Sequence, residues 1–164
     1  MSPRAAWRLE QLGFAEVYDY VPGKSDWTAA GLPREGESAG IPQAGDIVAR
    51  KVPTCGLRES LGDVLDRLPA GEDGLCVVVD ETNVVLGTLY LRNRDDLRRA
   101  ARNGATAEEA MRPGPSAVRA NERVEPLVER MRNADVRRVL VTDPEGRLLG
   151  LFDRTRAEQT LRPR

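Results

Sequence analysis

The chain has 164 residues, enough for one ordinary domain with an appendage and cramped for two. With 25 basic against 26 acidic side chains it has no global basic field to hold nucleic acid or an anionic membrane non-specifically. It has no histidine, the usual general base and metal ligand, and its two cysteines, Cys55 and Cys76, have neither metal-site spacing nor the number of a secreted disulfide framework.

The expectation is a reduced, cytoplasmic protein that is not an enzyme and carries no metal. The longest apolar runs, residues 75–79 and 84–91, are too short to span a bilayer, and no signal peptide is expected.

Ser2 and Pro3 predict a helix start, with the helix running to Leu12 and Gly13 ending it in the left-handed conformation. Residues 15–21 alternate as a short strand, Val17 and Val21 on one side and Tyr18 and Tyr20 on the other, until Pro22 and Gly23 stop it. Five of the seven aromatic residues (Trp7, Phe14, Tyr18, Tyr20, Trp27) fall in this opening segment, residues 1–30. One helix and one strand cannot enclose a core, so these rings are expected to pack on the rest of the chain or on a second copy. Residues 31–45, rich in Gly and Pro without apolar period, read as a linker.

Residues 46–104 predict a helical turn at 46–49, a short strand at 55–57 and a helix at 60–68 capped by Ser60 and ended by Pro69 and Gly71. Strands at 75–80 and 84–91 and a helix at 94–102 follow. Residues 105–161 repeat that order. Thr106 with Glu109 is a capping box, a strand covers 116–119, and a helix covers 122–133 with Pro126 in its first turn. A hairpin turns through Asp143, Pro144, Glu145 and Gly146, and Asp153 caps the last helix.

The two halves are copies. Asp143 falls on Asp80 and Gly150 on Gly87 at an offset of 63 residues, and Val124, Leu127, Val128 and Met131 fall on Leu61, Val64, Leu65 and Leu68. Each set is spaced i, i+3, i+4, i+7, one apolar stripe of a helix. Two copies make one pseudo-symmetric domain rather than a solenoid.

This order, the spacing, and the D-x-x-G-x-x-x-G hairpin of residues 143–150 resemble the cystathionine β-synthase (CBS) repeat family. The fold class expected is α+β with α/β-like alternation: two tandem CBS repeats in a pseudo-twofold pair, or Bateman module, behind an N-terminal helix–strand appendage. The opening segment resembles the end of a rhodanese-type domain. Met1 stands where that family's catalytic cysteine loop would precede it, so sulfur transfer is not expected.

The CBS resemblance implies regulation by an adenine nucleotide or S-adenosylmethionine bound between the repeats, with no required cofactor. Its signature, Gly-h-x-(Thr/Ser)-x-x-Asp after the hairpin, supplies a hydroxyl for phosphate and a carboxylate for the ribose diol. Both copies depart from it. Tyr90 and Asn93 follow Gly87, and Asp153 and Arg156 follow Gly150. A carboxylate about 4 Å from a phosphate costs about 4 kcal/mol at an effective dielectric near 20, a cost that Arg154 would partly offset.

Thr54, Tyr90 and Asn93 are expected to converge in one half-site. Several of the candidate residues have two readings. Thr54 and Ser116 form turns or donate to phosphate, and Cys55 is a buried thiol or lines a cleft. Asn93 and Asp153 are helix caps or ligand contacts, and Arg137 and Arg138 meet phosphate or lie solvated. The leading function is thus a homodimeric module that senses an adenosyl ligand and signals to a protein partner. The alternative is a ligand-free dimerisation scaffold. Nucleic-acid binding through arginines 92, 94, 98, 99 and 102 is the weakest reading, since no aromatic platform is interleaved among them.

Overall fold

In the computed structural model, which describes residues 3–68 and 74–161, the elements alternate as the α+β expectation requires. They run α1 (Pro3–Gln11), α2 (Gly23–Ala29), α3 (Ala44–Ile47), β1 (Thr54–Gly56), α4 (Leu61–Arg67), β2 (Leu75–Val79), β3 (Val85–Tyr90), and a 3-10 turn (Leu91–Asn93). Then come α5 (Arg94–Arg102), α6 (Ala107–Ala110), β4 (Arg112–Pro113), β5 (Ala117–Arg119), α7 (Val124–Asn133), β6 (Arg138–Thr142), β7 (Leu148–Asp153) and α8 (Arg154–Leu161). The roles expected of Ser2, Pro69 and Gly71 lie outside the described residues.

Each repeat builds its own core from the stripe its spacing announced. Leu61, Val64 and Leu65 of α4 pack with Cys76, Val78 and Leu89. Val124, Leu127, Val128 and Met131 of α7 pack with Val139, Val141 and Phe152. In both copies the first strand pairs parallel with the second and the second antiparallel with the third. Both hairpins carry an irregularity at the same place, after Val78 and after Val141.

The copies are stitched together by exchange. β4, which opens the second repeat, pairs with β3 of the first, and Ala49, which opens the first, pairs with Leu151 of the second. Likewise Ala107 of α6 is buried in the first core and Ala44 of α3 in the second. Gly87 and Gly150 make room for these crossing segments. A Cβ on Gly87 would lie 2.4 Å from Met111 Sδ, and one on Gly150 would lie 2.4 Å from the Ala49 carbonyl oxygen. The hairpin tips complete the pseudo-dyad: Val85 N–H donates to Gly146 O at 3.1 Å and Leu148 N–H to Asn83 O at 2.9 Å.

Helix ends follow their local chemistry in most places. The Thr106–Glu109 capping box forms. Gly13 (φ +92°) closes α1, with Phe14 N–H reaching Leu9 O and Gly13 N–H reaching Glu10 O. Ser60 makes no capping hydrogen bond, contrary to expectation. It is bridged to Thr106, and Leu61 N–H donates to Ala105 O, so a neighbouring chain segment satisfies that helix start instead.

Helix α7 ends the same way as α1, with Val136 N–H on Met131 O and Asp135 N–H on Arg132 O, but the left-handed residue is Asp135 (φ +49°). Asp135→Gly is expected to stabilise the fold by about 0.5–1 kcal/mol, because a Cβ is costly in that conformation. A rise in the urea midpoint with unchanged slope would register it.

The appendage departs most from expectation. Residues 15–21 form no strand, and Tyr18 and Val21 are 79% and 86% exposed. Alternation alone does not make a strand without a neighbouring edge to pair with. Helix α2, which the sequence reading did not anticipate, docks on the second half. Its Thr28 is buried, with Oγ1 3.0 Å from Gln43 Oε1. The stretch read as a linker is held at its end, Ala44 N–H donating to Glu122 O and Arg34 pairing with Asp46 at 2.7 Å.

Candidate functional site

Exchange of the opening segments leaves two clefts along the seam, related by the same pseudo-dyad. The larger, about 610 Å³, is walled by Thr88 and Tyr90 of β3, by Arg112 and the loop to Ser116, and by residues 135–140 entering β6. The smaller, about 440 Å³, is walled by residues 49 and 51–53, by Leu75, and by Leu151, Asp153 and Arg156. Both volumes fall within the usual range for small-molecule sites.

The exchange also decides which residues meet. Tyr90 faces Ser116, Arg137 and Arg138 rather than Thr54, and Asp153 and Arg156 face the segment before Thr54. The expected convergence of Thr54, Tyr90 and Asn93 is therefore corrected. Thr54 lines neither cleft and its carbonyl accepts from Arg67 Nη2 at 2.9 Å. Asn93 lines neither and sits at the N-cap of α5 without a side-chain capping bond. Cys55 is buried in the first core, and Arg154 turns away to Met131 O at 3.2 Å. Contact with Cys55, and then burial, push the Cys76 thiol up, so it stays protonated.

The larger cleft is strongly cationic. Arg92, Arg112, Arg137 and Arg138 line it with one carboxylate, Asp135, while Asp153 at its edge faces Arg137 and Arg138, although the whole chain is charge-balanced. Arg92 lies over the Tyr90 ring, 5.2 Å from its centroid, which holds the guanidinium in place. The basic run of α5 does not form one continuous face, since Arg94 donates to Leu65 O at 2.9 Å and Arg99 pairs with Asp96.

Thr88 was not singled out in the sequence. It is 3% exposed, and its Oγ1 has no hydrogen-bond partner among the described residues. A buried hydroxyl costs the fold when it finds no hydrogen-bond partner. It lies two residues before Tyr90 on the same strand, hence on the same face. Its counterpart in the other copy is Leu151, so only the larger cleft has this donor.

Asp153 belongs to the smaller cleft and reaches toward the larger. Its Oδ2 lies 3.1 Å from Arg138 Nε and 3.7 Å from Arg137 Nε, while Oδ1 caps α8 by accepting from Thr155 and Arg156 N–H. Burial pushes its carboxyl up, but the Arg138 hydrogen bond, the Arg156 N–H and the charges of Arg138 and Arg137 outweigh burial and hold it below the ordinary 3.8.

The ionised form therefore stabilises the fold above that value, and the contribution is lost as pH falls through the lower folded value. Asp153→Asn keeps the cap, because asparagine caps as well as aspartate. It is expected to flatten this part of the acid limb in urea unfolding across the acid range. An unchanged acid limb would show that other carboxylates carry it.

Residues 107–157 match the CBS domain family. The search of curated proteins gave no match. The chain is similar to the cytosolic domain of the Mg2+ channel MgtE, solved in complex with ATP: 26% identity, TM-score 0.62, over 75% of this chain and 51% of that one. It thus spans about half the length of that structure.

CBSX2, which a second structure attributes to Arabidopsis thaliana, was solved with AMP and is 21% identical, TM-score 0.59, over 72% of this chain and 94% of that one. The CBS domain pair of protein MJ0100, solved with 5'-methylthioadenosine and S-adenosyl-L-methionine, is 21% identical, TM-score 0.54, over 73% and 95%. Residues 107–157 match the CBS domain family, the half before them repeats the same architecture, and the chain has the fold of these CBS-pair structures.

Proposed function

We propose that this CBS pair is a non-enzymatic sensing module that takes an adenosine-containing ligand in its larger cleft and passes the occupancy to a protein partner. The observation that carries the reading is the unpaired Thr88 hydroxyl beside Tyr90 and four arginines in a cleft of about 610 Å³. Three similar structures were solved with ATP, AMP, or S-adenosyl-L-methionine and 5'-methylthioadenosine, which supports the adenosyl class. Calorimetric titration with AMP, ADP, ATP and S-adenosylmethionine tests it. Heat with a matching thermal shift for at least one is expected, and none for all four removes the reading.

A second reading, dimerisation, has its own observation. Trp7, Leu12, Phe14, Tyr18 and Val21 are all more than half exposed, a larger apolar display than a monomer usually leaves in water. Light scattering should show a dimer that Trp7→Ser with Phe14→Ser converts to monomer, and a wild-type monomer would sink the idea. Two buried, unbridged cysteines support a reducing, cytoplasmic setting.

A further inference from the structure

Resting on the reading of the larger cleft as the ligand site, we propose that it selects its ligand by consecutive phosphates and does not read the ribose diol. The ligand class is a polyphosphate, either a nucleoside triphosphate or an inorganic chain, met by the Thr88 hydroxyl and by Arg92, Arg112, Arg137 and Arg138.

Three observations converge. The position where a carboxylate would bridge the two ribose hydroxyls is Asn93, which lines neither cleft, and the one carboxylate in the lining, Asp135, lies on the opposite wall, in the loop before β6. Where the CBS signature has a Thr or Ser hydroxyl for phosphate this chain has Tyr90, whose hydroxyl lies at the far end of a ring, and Thr88, on the same strand face, adds a short-chain hydroxyl that is buried and unpaired.

Four guanidiniums around one cleft exceed what a single phosphate can pair with. Arginine forks bind phosphate oxygens two at a time, so a longer anionic chain engages Arg92 and Arg112 together with Arg137 and Arg138, the last two in competition with the Asp153 carboxylate they already face. Arg112 is the strand partner of Thr88, which places one of those guanidiniums on the residue beside the hydroxyl.

The arrangement makes a prediction with two opposite signs. Thr88→Val keeps shape and strand preference while removing the orphan hydroxyl, so it should raise the melting temperature of the free protein by about 2–4 °C. It should also weaken polyphosphate binding by about tenfold. A purely structural threonine would lower stability or leave both quantities unchanged.

The selectivity is read by calorimetry of the full chain at fixed salt without divalent cations, using AMP, ATP, 2'-deoxy-ATP and inorganic tripolyphosphate. ATP should bind about 100-fold tighter than AMP, with 2'-deoxy-ATP within about threefold and tripolyphosphate within about tenfold of ATP. Arg112→Gln should weaken ATP and tripolyphosphate alike.

AMP binding as tightly as ATP, or a loss of more than about tenfold on removing the 2'-hydroxyl, would overturn phosphate selection while leaving the cleft a nucleotide site. Tripolyphosphate binding alone, with no nucleotide bound, would support phosphate selection and overturn the adenosyl reading. Silence from all four probes would overturn both.

Discussion

Gly150→Ala is expected to destabilise the protein by about 3 kcal/mol, and more than Gly87→Ala, although the two glycines occupy equivalent places in the repeats. A Cβ on Gly150 would sit 2.4 Å from the Ala49 carbonyl oxygen and 2.9 Å from both the Ala49 carbonyl carbon and Val48 Cγ2, on a backbone with φ +154°. Two of those three atoms are backbone. The substitution can be accommodated only by pushing the crossing segment off β7, which breaks the paired bonds Ala49 N–H to Leu151 O (2.9 Å) and Leu151 N–H to Ala49 O (3.0 Å).

At Gly87 the two nearest atoms, Met111 Sδ and Cγ, belong to a flexible side chain that can swing aside, and the one backbone atom, Arg112 O, stands farther off at 3.0 Å, so about 1–2 kcal/mol is expected there. Urea unfolding of both variants, with hydrogen exchange at the Ala49 and Leu151 amides, checks the ranking. Equal effects, or a milder one at Gly150, would mean the exchanged segment does not hold the halves together.

The second large effect is functional. Arg138 lines both clefts, and its Nε lies 3.1 Å from the Asp153 carboxylate. Arg138→Gln should weaken binding of a phosphate-bearing ligand by about 10- to 100-fold, since it removes a charge-assisted contact from a partly desolvated wall. Asp153→Asn should act in the opposite direction, by about threefold to tenfold, because Asp153 competes with the ligand for Arg138 and Arg137.

Titration of both variants with ATP distinguishes this from a structural role. If the ion pair merely braced the cleft, both changes would weaken binding. A common sign in the two variants would therefore refute the competition.

Much of this architecture can be read along the chain because it is encoded locally. The apolar stripes at 61, 64, 65, 68 and 124, 127, 128, 131 need only helical periodicity to be recognised, and their burial follows. The Asp143 to Gly146 turn and the Thr106 box are likewise decided within four residues. Where an element depends on a distant edge, local pattern misleads. Residues 15–21 alternate yet find no partner strand, while Arg112 and Pro113, with no strand signal, pair because β3 offers an edge.

The candidate site was partly legible for the same reason. Tyr90, Ser116, Arg137, Arg138, Asp153 and Arg156 do reach the seam, but in different company from that expected. Thr88 carried no signal, since a threonine in a strand is ordinary until its hydroxyl is seen to lack a partner.

By itself the sequence determined that two copies of one half-domain exist, that each folds a helix onto a hairpin, and that neither copy has the aspartate of the CBS signature, Asn93 and Arg156 standing there instead. Only the tertiary structure decided that the opening segments change places, and so which side chains share a cleft. One arm of the exchange pairs Ala49 with Leu151, about a hundred positions apart, and the other pairs β3 with β4 of the next repeat, and no local propensity specifies either. What permits it is the space left by the absent side chains of Gly87 and Gly150.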